Sequence, residues 1–157
     1  RRQRQMCIRD RNMTVHIANA SEIRPLRNLV LRPNQPIETT FYDLDDHHKT
    51  FHLASKVGDV IVSIGTFYPE NDLDIQMTNG YRLRGMATHP KYRRNGAAAK
   101  LMREAFQILK EKNCDTIWCN ARLVAVDFYK SLGFKKIGPE FNISSIGPHY
   151  KMFKRLF

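Results

Sequence analysis

The chain is short of the features that mark several protein classes. It has three cysteines in 157 residues, Cys7, Cys114 and Cys119. The spacing of the last two is not the paired CxxC form of a zinc site, and an odd number gives no disulfide framework. Reduced thiols in a cytoplasmic protein are the simplest account. No apolar run approaches the roughly 20 residues of a membrane-spanning helix and no secretory signal is visible, so no membrane partner is expected. Neither GxGxxG nor GxxxxGK followed by Ser or Thr occurs, which removes two familiar phosphate-binding loops. The 8 glycines and 7 prolines mark turns without building long linkers. Neither disorder nor a repeat array is indicated.

Acidic residues are also few, 15 against 26 Lys and Arg, for a formal net charge of +11. Such an excess suggests a polyanionic partner, but it is unevenly placed. Residues 1–11, RRQRQMCIRDR, hold five arginines and one aspartate, and without them the balance is 21 basic to 14 acidic, or +7. MCIRDR resembles the in-frame translation of a transposon adapter. Residues 1–11 are therefore expected to be a non-native or disordered head, the natural start to lie at Asn12 or Met13, and one domain to span 13–157. A nucleic-acid-binding arm is the alternative reading of that segment.

What is present reads as alternating elements. Met13 to Ala18 alternates as a strand, and Ser21 with Glu22 can open a helix carrying Ile23, Leu26, Leu29, Val30 and Leu31, stopped by LRPNQP. Thr50 to Ser55 and Val60 to Tyr68, joined through Val57-Gly58-Asp59, read as a hairpin, and Asn79-Gly80 signals a turn before a strand at Tyr81 to Thr88. Leu101, Met102, Ala105, Phe106 and Leu109 form one apolar face of a helix, with Lys100, Arg103, Glu104, Gln107 and Glu111 opposite. Thr116 to Asn120 follows as a strand, Leu123 to Leu132 as a helix ended by Gly133, and Phe134 to Ile137 as another strand. A last hairpin pairs Asn142 to Ser145 with Tyr150 to Phe153 around Ile146-Gly147-Pro148. This order predicts a mixed α/β sheet.

The helix after Thr88 begins in YRRNGAAAKLM. Its first N–H groups carry the positive end of the helix dipole and seek an anion. Gly96 lets a ligand approach the backbone, Ala97 and Ala98 place no bulk over the donors, and Arg93 and Arg94 add charge-assisted bonds. A phosphate or diphosphate cradle is the functional reading; a basic, glycine-started helix without a ligand is the plain one.

Arg93-Arg94-Asn95-Gly96-Ala97-Ala98 resembles the R/Q-x-x-G-x-G/A signature of the GNAT superfamily of N-acetyltransferases. LRGMATHPKYRRNGAAAKLM resembles that family's fourth strand, diphosphate loop and following helix. IWCNARLVAVDFYKSLGFKKIG resembles its fifth strand, fourth helix and sixth strand, and RPLRNLVLRPNQP with TFHLA resembles small bacterial members. The departures are Arg94 and Ala98, where many members carry glycine. The resemblance implies an α/β GNAT fold: a mixed, mostly antiparallel sheet of about seven strands with flanking helices and splayed fourth and fifth strands.

It also implies acetyl-CoA as cosubstrate, a primary amine on a small molecule or peptide as acceptor, direct attack in a ternary complex, and a fold that often dimerises. Coenzyme contacts would come from Met86, Ala87 and Thr88, from Arg93, Arg94, Asn95, Gly96, Ala97 and Ala98, and from Asn120. The Met86 N–H would face the thioester oxygen, and Tyr129 would donate to the departing thiolate. Arg84 and His149 are candidate acceptor contacts.

For several of these residues a structural role is the simpler reading. Tyr129 could be a core aromatic beside Phe128, and Arg84 a surface arginine. Asp43, Asp45, Asp46, His47 and His48 fit neither EF-hand nor HExxH spacing and read as a solvated loop, so no metal is expected. His52 reads as a packed strand residue and His89 as a turn residue. Two other functional classes stay open: an idle acyl-CoA sensor without turnover, and a basic nucleic-acid-binding module.

Overall fold

The computed structural model describes residues 13–157. The head at Arg1 to Arg11, with Cys7, lies outside the described residues. Seven strands, β1 (Met13–Ala18), β2 (Phe51–Val57), β3 (Val60–Pro69), β4 (Gly80–Thr88), β5 (Thr116–Arg122), β6 (Lys135–Ile143) and β7 (Gly147–Arg155), form one sheet in the order β1-β2-β3-β4-β5-β7-β6. Only β4 and β5 are known to run parallel among the registered pairs; β1–β2, β2–β3, β5–β7 and β6–β7 are antiparallel. Among the described residues the α-helices are α1 (Ala20–Leu31), α2 (Ala97–Glu111) and α3 (Val126–Ser131). The mixed seven-stranded sheet with flanking helices is the architecture the resemblance implied.

The chain divides into two compact units, one of residues up to Tyr68 with Gly85–Phe106, the other of Pro69–Arg84 with Gln107–Phe157. In the first, α1 presents Ile23 and Leu26 to Ala54, Ile64 and Ala87, all buried. Each large aliphatic side chain so buried contributes roughly 1.5–3 kcal/mol. A second cluster joins Met13, Val62 and Ala97, against which Val57 and Tyr92 pack. In the second unit, Leu109, Ile117 and Met152 are fully buried.

Local chemistry accounts for most boundaries. The cap of α1 is Asn19, not Ser21: Asn19 Oδ1 accepts from the Glu22 amide at 2.9 Å and the Glu22 carboxylate accepts from the Asn19 amide at 3.0 Å. This reciprocal box satisfies two otherwise unpaired amides, and Ser21 instead donates to Asn19 Oδ1. The expected helix over Leu123 to Leu132 is split into a 3₁₀ turn, Leu123–Ala125, and the short α3. Gly133, at φ 95°, closes α3, its amide donating to the Lys130 carbonyl at 3.0 Å. The last hairpin turns at residues 144–146, earlier than expected, with Ser145 at φ 64°. Pro148 then lies within β7, opposite Asn142.

Candidate active site

In the first unit, β4 leads through a 3₁₀ turn, Pro90–Tyr92, into the mouth of α2. His89 caps that turn by accepting from the Lys91 amide, and its own amide donates to the Val62 carbonyl at 2.8 Å, tying the turn to β3. Arg93 and Arg94 are exposed, Asn95 is half-buried and Ala97 is buried. Arg94 has φ 64° and Gly96 φ 81°, so two of three consecutive residues hold left-handed backbone. A side chain built on Gly96 would meet nothing within 4 Å. Glycine is needed there for its φ, and the space above it is open.

The first turn of α2 contains no acidic residue, so no carboxylate of its own neutralises the positive helix end. Lys100 is not available to an anion in the manner of a P-loop lysine, because its Nζ donates to the Met13 carbonyl at 2.7 Å. The loop is anchored from behind by Ser55, whose hydroxyl donates to the Ala97 carbonyl at 2.9 Å.

Upstream on β4, Ala87 is packed in the α1 core, Met86 and Thr88 are half-buried, and the Thr88 hydroxyl lies 3.2 Å from that of Ser63. Gly85 has φ 65°, an interruption typical of a bulged strand. The registered pairing of β4 with β5 covers only Gly80 to Arg82 against Thr116 to Trp118, whereas β5 keeps β7 as partner through Arg122. Backbone groups left without a ladder need other partners.

A charged cluster that sequence reasoning missed lies under this strand, in the same unit. Arg27 is fully buried. Its guanidinium donates to Asp45 at 2.8 and 3.1 Å, to the Thr66 hydroxyl at 2.8 Å and to the Thr40 carbonyl at 2.5 Å. Asp45 also pairs with Arg24 at 3.2 Å. The solvated-loop reading therefore fails for Asp45, which is buried, while Asp43, Asp46, His47 and His48 are exposed. Burial alone would raise the Asp45 carboxyl, but hydrogen bonds and charge from Arg27, with the Tyr42 amide and Arg24, hold it below its ordinary range.

His52 is packed, as expected. Its Nε2 donates to the Asp45 carbonyl at 3.0 Å, which leaves Nδ1 to accept from the Thr66 hydroxyl at 2.8 Å. Burial lowers its pKa. One signal could have revealed the cluster: Ile23, Leu26, Arg27 and Val30 share one face of α1, so a cation sits in an apolar stripe.

The second unit holds the other candidates. Asn120 is half-buried on β5, opposite Lys151 of β7, and its Oδ1 is buried without a hydrogen-bond partner. Tyr129 on α3 is buried between aromatic neighbours, with Phe128 at 5.3 Å and Phe134 at 5.2 Å between ring centroids. Burial, and then the nearby Cys119, push its phenol well above the ordinary range. Cys119 and Cys114 are buried free thiols. Burial raises both, Cys114 to about 11.

A cavity of about 630 Å³ adjoins Asn120 and Trp118, walled by Ile137, Gly138, Pro139 and Phe141 of β6. Across it, the Lys151 ammonium bridges Asp72 at 2.9 Å and Asp74 at 2.7 Å. Arg84 is half-buried on β4 and does not line this cavity. His149 is buried, its Nδ1 2.8 Å from the Gly147 carbonyl, with its ring 5.9 Å from that of Phe141; it backs the cavity wall and is not part of the lining. Among the described residues, no group of three or more His, Cys, Asp or Glu is placed to hold a metal, and no helix is long and apolar enough to cross a membrane.

Comparison with known proteins places these features in a family. Residues 20–134 match the acetyltransferase (GNAT) family. The chain is 36% identical over 143 residues to the uncharacterized N-acetyltransferase YitI of Bacillus subtilis (strain 168), covering 91% of this chain and 94% of that protein. The fold is similar to that of an aminoglycoside 6'-N-acetyltransferase complexed with coenzyme A, with a TM-score of 0.69, 14% identity, and 92% and 97% of the two chains covered. It is also similar to the ribosomal-protein-S18-alanine N-acetyltransferase from Escherichia coli, with a TM-score of 0.69, 15% identity, and 92% and 94% covered.

Proposed function

Because the chain belongs to the acetyltransferase (GNAT) family, as an N-acetyltransferase that depends on acetyl-CoA, we propose that it transfers the acetyl group to a primary amine by direct attack in a ternary complex. The observation that carries the coenzyme assignment is the mouth of α2. It is a positive helix end with no carboxylate in its first turn, open space over Gly96 and two exposed arginines at its approach. The diphosphate is assigned to the amides of Arg94 to Ala98 with the side chains of Arg93 and Arg94. The pantetheine arm is assigned to the backbone of Met86, Ala87 and Thr88 and to Asn120, whose unpaired Oδ1 calls for an N–H donor.

The Met86 N–H is given the thioester oxygen, where negative charge grows as the amine attacks. Tyr129 is given the leaving thiolate. Magnitudes decide the form of that contact. A thiol has a pKa near 8.5 and tyrosine near 10 before any shift, and burial raises Tyr129 further. Complete proton transfer is uphill, so the phenol stabilises the thiolate chiefly as a hydrogen-bond donor. No carboxylate is assigned as general base, and the acceptor's proton leaves through water.

The acceptor is assigned to the cavity beside Trp118. Its two carboxylates and one ammonium sum to one negative charge, which favours an amine arriving as a cation, from a small molecule or a peptide. Arg84 is proposed to meet an acidic group elsewhere on the acceptor, and His149 to hold the cavity wall.

Titration calorimetry with acetyl-CoA, and with CoA and ATP as controls, tests the coenzyme reading on a chain beginning at Met13. Selective micromolar binding by the wild type is expected. Gly96→Trp fills the open space over the helix mouth and abolishes binding in a folded protein. Undiminished binding by Gly96→Trp would move the coenzyme elsewhere.

A further inference from the structure

Arg27 fastens four parts of the first unit to one another. Its donors reach the 3₁₀ turn Ile37–Thr40 through the Thr40 carbonyl, the next turn through Asp45, and β3 through Thr66. Its fourth contact is with β4. A Cβ placed on Gly85 would lie 3.1 Å from Arg27 Nε and 3.3 Å from Tyr42 Cε2. Nε is the guanidinium nitrogen without a hydrogen-bond partner, and it faces this strand.

Tyr42 is held on both sides of its own backbone and ring. Its amide donates to Asp45 Oδ2 at 3.2 Å, and the Arg27 guanidinium lies 3.8 Å from its ring centroid. The ring and the guanidinium together fill the space over the Gly85 α-carbon. The peptide plane that follows Gly85 carries the Met86 N–H, and a single left-handed residue in a strand turns the plane after it. Gly85 at φ 65° is therefore the residue that aims the Met86 amide, and the Tyr42 ring and Arg27 guanidinium pack against it there.

We propose that Tyr42, pressed onto β4 by the Arg27–Asp45 pair, is a positioning residue that fixes the direction of the Met86 amide toward the thioester. The proposal rests on the acetyltransferase reading above. Arg27 and Asp45 are the harder residues to test, since breaking a buried ion pair threatens folding. Tyr42 is half-buried and removable.

The test needs no acceptor, because CoA and acetyl-CoA differ only in the acetyl group that the Met86 amide would meet. Calorimetry on the wild type is expected to give acetyl-CoA a two- to tenfold lower Kd than CoA, the worth of one hydrogen bond. Tyr42→Ala brings that ratio to one and leaves the CoA affinity unchanged. Tyr42→Phe keeps the ratio, as does Phe41→Ala, which removes the neighbouring stack on Arg24 and none of the atoms nearest Gly85. If Tyr42→Ala does not fold, Tyr42→Leu gives the same loss, since leucine has no planar face to lie on the guanidinium.

A ratio preserved in Tyr42→Ala, or already equal to one in the wild type, overturns the positioning role while leaving the coenzyme reading intact. Failure of the wild type to bind either compound overturns the coenzyme reading itself, and the positioning role with it.

Discussion

Arg94 stands with φ 64° in backbone that most side chains avoid. Replacing it by glycine should relieve about 1–2 kcal/mol of left-handed strain. The same change enlarges the unfolded ensemble and gives back about 0.4–1 kcal/mol. Arg93 is the internal control: it is also exposed, but its backbone at φ −65°, ψ 149° suits any residue. Arg93→Gly therefore carries the entropy penalty alone.

The two variants should differ by the strain itself, and at 2–4 °C per kcal/mol for a chain of this size the gap is about 2–8 °C in Tm, with Arg94→Gly the more stable. Reversible thermal unfolding of both variants beside the wild type measures it. Equal Tm values for the two would refute the strain argument. Glycine keeps the amide that the diphosphate is proposed to use, and an exposed charge contributes at most about 1 kcal/mol, so acetyl-CoA affinity should fall no more than about fivefold in Arg94→Gly. A larger loss would make the side chain a principal contact.

Two further expectations follow from the buried groups. Tyr129→Phe should lower kcat about 10- to 100-fold, the worth of a hydrogen bond to a charged group, with acetyl-CoA affinity retained; a loss near 10⁴-fold would mean full proton transfer, no loss would remove Tyr129 from the leaving-group role, and coenzyme binding without turnover in the wild type would support an idle sensor. Stability should fall with acid in two windows: the lowered His52 is neutral in the fold and protonates first in the unfolded chain, so stability declines as pH drops below about 6.5. The lowered Asp45 adds a second decline below about 3.8, as its ion pair is lost. Denaturant midpoints measured against pH, with His52→Gln expected to flatten the upper window only, check both signs.

The sequence showed several features that depend on neighbours along the chain. The apolar face of α2 follows from Leu101, Met102, Ala105 and Leu109, all fully buried, and the β2–β3 hairpin from Gly58 at φ 60°. The open, left-handed approach to α2 has the same local origin, since Gly96, its small neighbours and the arginines lie within one turn. The last hairpin misled because Gly147-Pro148 carries the stronger turn chemistry, while the chain actually turns on Ser145, a residue with no marked preference for left-handed backbone. The Arg27 cluster left only one local trace, a cation within the apolar stripe of α1, and its partners left none. Its partners lie 13, 18 and 39 positions away, and a charge in a sequence reads as solvated until its counterions are located. Asn120 and Tyr129 were singled out by resemblance, and neither spacing nor periodicity would have done so.

The bulged course of β6 bears on how this sheet could meet another molecule. As the last strand in the order, β6 has one neighbour and turns the remaining backbone groups outward. Such a border usually invites a second chain to add itself as a further strand. Here the register breaks between Ile137 and Phe141, Gly138 takes φ 77°, and Pro139 has no amide hydrogen to offer. Lys135, Lys136 and Glu140 are all exposed along it. Ladder growth is thus discouraged at the strand that also walls the cavity. A second copy joining at this end would have to meet side chains and not a free ladder.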